Sequence, residues 1–169
     1  MKLLLSENEI KDRVKVLGMK ITKDYEGKKP IFIGILNGCY VFMADLLREV
    51  ELDVEVDFVK IRSYEGDSST GTIKFRKDIS ADIDGRDVII VEDIIDSGKT
   101  IEFIIKKLEN INIKSFTVIT LLKKNNINKI KNKVIDWYGF NIKDKYVIGY
   151  GLDINNLFRE LKDIYIKDE

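Results

Sequence analysis

The sequence predicts an α/β fold in which helices flank a central, mostly parallel sheet. Two short apolar runs, IFIGIL at residues 31–36 and VIIV at residues 88–91, are typical of strands that are buried on both faces. Such runs alternate with stretches of helical length, and this alternation favours strand–helix–strand units with parallel strands. We expect one domain over residues 1–169, because this length suits a single hydrophobic core.

The first half of the chain predicts two helices. The first runs from about Ser6 to Asp24, because Ser6 is a capping residue, Glu9 follows three residues later, and apolar residues recur at helical spacing. The second follows the first strand as CYVFMADLLREV. A long alternating strand, a polar loop and a returning strand come next, at residues 52–64, 65–71 and 72–78.

The second half continues the alternation. The run VIIVED at residues 88–93 precedes a helix that we expect from about Lys99 to Leu108, and the segment SFTVITLL at residues 115–122 predicts the next strand. Three further segments are strand-like, namely VIDWYGF, KYVIGYG and DIYI at residues 134–140, 145–151 and 163–166.

The composition argues against several classes of function. Lys plus Arg and Asp plus Glu both total 29, so a general nucleic-acid binder is not expected. The single cysteine, Cys39, leaves no internal disulfide. Because no apolar run approaches the ~20 residues of a membrane span and the first residues form no signal-peptide core, we expect a cytoplasmic protein. The lack of histidine leaves acid–base chemistry to carboxylates, lysines or tyrosines.

The stretch that indicates a function is DVIIVEDIIDSGKT, from Asp87 to Thr100. A triphosphate-binding loop needs glycine five positions before the glycine of Gly-Lys-Thr. Asp93 stands there instead, which excludes that loop. Backbone N–H groups at a helix start suit a phosphate monoester, so we expect Ser97, Gly98, Lys99 and Thr100 to bind one.

The acidic residues of the same stretch suit the sugar that carries such a phosphate. Glu92 and Asp93 can accept hydrogen bonds from ribose hydroxyls and help hold a divalent cation. Asp96 lies between them and the helix, within reach of a reacting centre. The alternative interpretation is a solvated strand end with Asp96 as a helix cap. Three acidic residues between an apolar strand and a Gly-Lys-Thr helix start argue against this alternative.

VIIVEDIIDSGKT resembles the signature of type I phosphoribosyltransferases, enzymes that use 5-phosphoribosyl-1-pyrophosphate (PRPP). The resemblance implies their α/β fold, with a small hood built from the N-terminal helix and the C-terminal segment and a flexible lid loop at about residues 63–72. It also implies Mg²⁺ as cofactor, with Glu92, Asp93 and Asp153 as ligands. The signature specifies the fold more strongly than the substrate, since regulators without transferase activity also carry it.

Two further segments are similar to the hypoxanthine-guanine branch of that family and imply a pyrophosphate site. GILNGCYVFMADLLREV resembles the first pyrophosphate loop, whose cis peptide would fall at Leu36-Asn37, with Asn37 and Gly38 beside the pyrophosphate. Asn37 stands where relatives often have a basic residue. VDFVKIRSYEGDSSTG resembles the lid, whose Ser63 and Tyr64 would close over pyrophosphate and exclude water. A linker between two strands fits that composition equally well.

Two more segments imply a purine site. VITLLKKNNI resembles the segment whose lysine, here Lys124, binds the purine 6-oxo group. In DKYVIGYGLDINNLFREL, Tyr146 matches the aromatic residue that stacks on the purine and Val147 the residue whose backbone meets the base edge. Asp153 matches a residue near the purine and the metal, and Arg159 the arginine that meets pyrophosphate.

The resemblance as a whole implies a hypoxanthine, or hypoxanthine-guanine, phosphoribosyltransferase of purine salvage. Such an enzyme joins a 6-oxopurine through N9 to ribose 5-phosphate, giving IMP or GMP and pyrophosphate. Asp96 would be the general base that takes the proton from N7, and a homodimer or homotetramer would be expected. Two alternatives remain at this stage: a phosphoribosyltransferase for another base, and a PRPP-sensing regulator of transcription or RNA.

Overall fold

A computed structural model describes residues 1–64, 72–125, 129–130, 133–135 and 137–167. Its centre is a six-stranded sheet in which five strands run parallel and one edge strand runs antiparallel. The strands, in their spatial order, are β4 (Thr72–Lys77), β3 (Glu55–Tyr64), β2 (Ile31–Leu36), β5 (Asp87–Ile95), β6 (Ser115–Lys124) and β9 (Trp137–Ile142). The predicted α/β class with a mostly parallel sheet is confirmed.

Helices cover both faces of this sheet. On one face, α1 (Glu7–Asp24) and α2 (Tyr40–Arg48) pack on Phe32 and its neighbours; on the other, α3 (Lys99–Leu108) packs on Ile31, Ile33 and Ile35 of the same strand. Successive β2 side chains therefore enter opposite cores, which explains why the run IFIGIL is apolar throughout.

The helix starts follow local sequence signals. Ser6 and Glu9 form the predicted capping box at α1: Ser6 accepts from the Glu9 backbone N–H, and the Glu9 carboxylate accepts from the Ser6 N–H at 2.8 Å. The bounds of α3, Lys99–Leu108, are those predicted. Among the described residues, no helix combines the length and the apolar character that crossing a bilayer requires.

A second, smaller sheet joins the two ends of the chain. Its order is β1 (Lys2–Leu5), β11 (Ile164–Ile166) and β10 (Val147–Ile148), all antiparallel. The sequence predicted β11 but not β1, which pairs with a segment about 160 positions away. A short hairpin, β7 (Lys129–Ile130) and β8 (Lys133–Val134), was also not predicted.

Three strand predictions need correction. The strand expected at residues 134–140 is instead β9, Trp137–Ile142. The long strand expected from residue 52 begins at Glu55. The expected strand at residues 145–151 is confined to Val147–Ile148, because the chain turns immediately afterwards, with φ of 98° at Gly149 and 51° at Tyr150. The lid loop was predicted at about residues 63–72, but Ser63, Tyr64 and Thr72 belong to the paired strands β3 and β4, and residues 65–71 lie outside the described residues.

Candidate active site

The candidate site lies where the parallel strands β2, β5 and β6 end. Ligands of open parallel sheets bind beyond the carboxyl ends of the strands. Leu36, Ile95 and Lys124 are the last residues of these three strands, and the strands are neighbours in the sheet. The residues that follow them therefore share one edge of the molecule.

The turn between β5 and α3 opens the helix as the sequence predicted. Asp96 and Ser97 are exposed, and Gly98 takes the left-handed conformation with φ of 78°, which favours glycine. Gly98 has no side chain with which to cap the helix, and the Ser97 hydroxyl accepts from the Lys99 backbone N–H at 3.5 Å. The backbone donors at the start of α3 can therefore meet an anion.

Lys124, at the end of β6, contacts Asp96 of this turn and also Asp144. Its ammonium lies 2.7 Å from Oδ1 of Asp96 and 2.6 Å from Oδ1 of Asp144, while its side chain is only 11% exposed. Burial favours the neutral amine, but the hydrogen bonds to Asp144 and Asp96 outweigh it and raise the pKa of Lys124. Lys124 therefore presents a positive charge at the end of β6.

A cavity of about 220 Å³ extends from this pair. The side chain of Tyr146 is largely exposed and its hydroxyl donates to the backbone oxygen of Asp153 at 3.0 Å, so the ring is fixed at the cavity wall. The sequence-predicted Lys124, Tyr146, Val147 and Asp153 are brought together here with Asp96. The full lining is Asp93, Ile94, Asp96, Lys124, Lys145, Tyr146, Val147, Leu152 and Asp153.

A second cavity of about 210 Å³ adjoins the first, since Asp93 lines both. It is lined by Ile35, Leu36, Asn37, Gly38, Ile61, Glu92, Asp93 and Thr100. The peptide bond Leu36-Asn37 is cis, which confirms the expectation from the resemblance. A Cβ placed on Gly38 would lie 1.7 Å from Oδ2 of Asp93, so the loop after β2 rests directly on that carboxyl group.

Asn37 has a cationic neighbour that the sequence alone did not indicate. The Lys60 ammonium donates to Oδ1 of Asn37 at 3.1 Å. The two residues meet because Lys60 pairs with Leu36 in the parallel register of β2 and β3. A positive charge is therefore present beside the uncharged Asn37.

Two acidic residues of the site are shielded from water to different degrees, since Glu92 is buried and Asp93 is half-buried. Burial, reinforced by the neighbouring Asp93, raises the pKa of Glu92. Burial also raises the pKa of Asp93 to about 6, although backbone N–H groups and Arg159 act in the opposite direction. The site therefore keeps two carboxyl groups whose charge is poorly compensated without a ligand.

Arg159 is tied to the same region by two short contacts. Its guanidinium donates to the Gly151 backbone oxygen at 2.6 Å and lies 2.6 Å from Oδ1 of Asp153. Gly151 in turn lies against the loop after β2, because a Cβ placed on Gly151 would be 2.2 Å from the Gly38 oxygen. Arg159 is thus positioned through Gly151 next to Gly38, although the two residues are 121 positions apart in the chain.

The carboxylates do not form a ready-made metal cage. In the ranges that the structure describes, no three Asp, Glu, His or Cys side chains converge on one point. Mg²⁺ is commonly bound by one or two carboxylates together with waters and substrate oxygens. The buried Glu92 and the half-buried Asp93, which both line the second cavity, therefore suit an ion that arrives with a phosphorylated substrate.

Sequence reasoning missed Asp144 and Lys60, which contact the predicted Lys124 and Asn37. Both contacts depend on the strand register, which the sequence alone does not give. The predicted Ser63 and Tyr64 lie at the end of β3, where their backbones pair with Ile73 and Thr72 of β4. Their side chains lie outside the described part of the chain, so their contact with pyrophosphate stays a prediction.

Comparison with known proteins agrees with this geometry. Residues 3–155 match the phosphoribosyl transferase domain family. The chain therefore belongs to the phosphoribosyl transferase domain family. It is 40% identical over 161 residues to the hypoxanthine-guanine phosphoribosyltransferase of Bacillus subtilis, covering 95% of this chain and 89% of that protein.

The chain is also similar to part of a longer bifunctional protein and to a solved crystal structure. The chain is 39% identical over 166 residues to the bifunctional protein TilS/HprT of Listeria monocytogenes, but it spans only 26% of that protein's length. A crystal structure of a hypoxanthine-guanine phosphoribosyltransferase from Bacillus anthracis superposes with a TM-score of 0.92 at 37% identity, covering 99% of both chains.

Proposed function

We propose that this chain is a hypoxanthine-guanine phosphoribosyltransferase, which transfers the 5-phosphoribosyl group of PRPP to N9 of a 6-oxopurine. The products are IMP or GMP and pyrophosphate, so the reaction recovers free purines. Similarity over nearly the whole chain to enzymes named for this activity supports the proposal. Substrates and products follow from it: PRPP, hypoxanthine or guanine, and the corresponding nucleotide.

One observation carries this proposal furthest: Lys124 and Asp96 form an ion pair in the cavity that Tyr146 lines. A 6-oxopurine needs a donor for its oxygen and a group that takes the N7 proton as N9 attacks. The Lys124 ammonium is a donor, and the Asp96 carboxylate is the acceptor. An adenine-specific site would need an acceptor where Lys124 presents its charge.

The remaining residues bind and orient the two substrates. Ser97 to Thr100 receive the ribose 5-phosphate at the start of α3, and Glu92 and Asp93 accept from the ribose hydroxyls. Tyr146 stacks on the purine while Val147 meets its edge through the backbone. Because no covalent intermediate with the protein is required, this positioning and the fixed charges supply most of the rate enhancement.

The leaving pyrophosphate is received on the other side of the ribose. The backbone of Asn37 and Gly38, the Arg159 guanidinium, and Ser63 with Tyr64 are the proposed ligands. Glu92 and Asp93 in the second cavity and Asp153 in the first are the residues that would contribute to holding Mg²⁺, each as part of a coordination completed by substrate oxygens and waters, and the ion would supply positive charge near the leaving group. Oδ1 of Asp153 pairs with Arg159, and Oδ2 of Asp153 accepts a hydrogen bond from the Asn156 backbone N–H at 2.7 Å.

The direct test is pyrophosphate release from PRPP with hypoxanthine, guanine, xanthine, adenine and uracil, each with Mg²⁺ and with excess chelator. We expect turnover with 6-oxopurines only, and only with Mg²⁺. Turnover with adenine or uracil would identify another member of the family, and no turnover with any base would favour a PRPP-sensing regulator. The same proposal includes assembly as a homodimer or homotetramer, which light scattering measures. It also includes a cytoplasmic location.

Substitution of Lys124 tests the purine site separately from the PRPP site. Lys124→Ala should raise KM for hypoxanthine by about 10-fold to 100-fold, because a charge-assisted hydrogen bond is lost, while KM for PRPP changes little. Lys123→Ala is the matched control, since that ammonium lies over the Tyr138 ring, 4.7 Å from its centroid. Equal effects of Lys124→Ala on both substrates would place this lysine outside the purine site.

A further inference from the structure

The Lys124 ammonium has two carboxylate partners, and the proposed function uses only one of them. Asp96 comes from the turn after β5, whereas Asp144 comes from the loop between β9 and β10. The two contacts are almost equally short, at 2.7 Å and 2.6 Å. Asp144 therefore contacts the same ammonium from a different loop than Asp96 does.

The backbone fixes the place of Asp144. Lys124 pairs with Ile142 in the parallel register of β6 and β9, and the Asn125 N–H donates to the Ile142 oxygen at 2.9 Å. Asp144 follows two residues later, in a turn closed by the Lys145 N–H on the Lys143 oxygen at 2.8 Å. This short segment then continues directly into Tyr146 at the cavity wall.

The arrangement combines one ammonium with two carboxylates, and the reaction changes one of the three charges. When Asp96 accepts the N7 proton it becomes neutral, and its attraction for Lys124 falls. At that moment the ammonium is needed at the purine oxygen. Asp144 is the partner that takes no part in this proton transfer.

We propose that Asp144 is a positioning residue that holds the Lys124 ammonium at the purine edge while Asp96 exchanges its proton. This inference rests on the proposed function and extends it to a residue outside the cavity lining. The competing interpretation is an ordinary surface ion pair, since the Asp144 side chain is 71% exposed and exposed pairs contribute little. The low exposure of Lys124, 11%, favours a defined position for the ammonium instead.

The test measures both substrates in Asp144→Asn and in Asp144→Glu. Asp144→Asn should raise KM for hypoxanthine by about threefold to fivefold and weaken IMP binding by a similar factor, because a partly screened charge contact is lost. KM for PRPP should stay constant, and Asp144→Glu should restore most of the loss. Asp24→Asn is the matched control: it removes the carboxylate from another Asp–Lys pair, at 3.0 Å in α1, outside both cavities.

A double substitution separates positioning from a general effect on the fold. If Asp144 acts through Lys124, Asp144→Asn should change nothing further in a Lys124→Ala background. An additive effect there, or an equal rise in both KM values, would overturn the inference. If the wild-type protein is active and Asp144→Asn has the same KM for hypoxanthine, the inference about Asp144 is overturned while the proposed function stands. A wild-type chain that is inactive with every base and binds no IMP would instead overturn the proposed function.

Discussion

Gly38 and Asp93 are in direct contact across the candidate site, so close that no other amino acid fits at position 38 without movement. A Cβ on Gly38 would lie 1.7 Å from Oδ2 and 2.5 Å from Cγ of Asp93. Asp93 lines both cavities, and Gly38 belongs to the loop that opens with the cis Leu36-Asn37 bond. This contact therefore couples the position of the proposed pyrophosphate loop to that of the carboxyl group between the two cavities.

Gly38→Ala should displace Asp93 and the loop together and impair turnover far more than folding. We expect kcat/KM for PRPP to fall by about 100-fold, since a displacement near 1 Å in a reacting centre has an effect of this size. Steady-state kinetics with varied PRPP and a thermal unfolding curve provide the measurement.

The control for this change is another glycine far from the cavities. Gly27 has φ of 72° and no atom within 4 Å of an added Cβ. Gly27→Ala should lower the free energy of unfolding by about 1–2 kcal/mol through backbone strain and leave kinetics unchanged. Wild-type kinetics in Gly38→Ala would show that the contact with Asp93 has no catalytic consequence.

Asp96→Asn tests the proposed general base with an isosteric change. The amide cannot accept the N7 proton, so kcat should fall by about 100-fold or more. The Lys124 ammonium keeps its contact with Asp144, so the cavity should retain its shape and IMP should still bind. Single-turnover kinetics and calorimetric titration with IMP separate the two effects. If the chemical step kept its wild-type rate, Asp96 would not be the base.

The sequence was sufficient wherever an element is determined by neighbouring residues. The capping box marks the start of α1, and the bounds expected for α3, Lys99–Leu108, are those observed. Residues of the stretch DVIIVEDIIDSGKT lie close together in the structure, because a strand, a turn and a helix start are contiguous in the chain. Asp93, Asp96 and Thr100 indeed line the two cavities.

The sequence was insufficient wherever a position depends on which strands become neighbours. Asp144 contacts Lys124 only because β9 lies beside β6, and Lys60 reaches Asn37 only because β3 lies beside β2. Strand β1 likewise has no local signal, since its partner is the other end of the chain. A lone charged residue in a loop gives no indication of such a partner.

Asp57 should stabilise the fold in a pH-dependent way. Burial favours its protonated form, but the Lys77 ammonium and the backbone N–H groups of Ala81, Ser80 and Phe58 outweigh burial and lower the pKa of Asp57 from 3.8 to about 2. A lowered pKa in the folded state means that the ionised form stabilises the fold above the unfolded-state value near 4. This stabilisation is lost as the pH falls towards 2.

Asp57→Asn should therefore lower the free energy of unfolding by about 2 kcal/mol at pH 7, with the deficit shrinking between pH 4 and pH 2. Urea unfolding at pH 7, 4 and 3 measures it. Asp53→Asn is the control, because the Asp53 side chain is 87% exposed and lies 3.9 Å from Lys29, so its removal should have no measurable effect. A deficit that stays constant with pH would assign the effect to packing.

Tyr146 should act through its ring rather than its hydroxyl. Its side chain is 56% exposed although the hydroxyl is bound to the Asp153 oxygen, so one face of the ring is available for stacking. Tyr146→Ala should raise KM for hypoxanthine by about 10-fold to 100-fold, whereas Tyr146→Phe should change it by less than about threefold, since base–aromatic stacking is worth ~1–3 kcal/mol. Tyr138→Ala, at another partly exposed tyrosine, serves as control in the same assay. If Tyr146→Phe were as impaired as Tyr146→Ala, the hydrogen bond to Asp153 would be the important contact, and stacking would not explain purine binding.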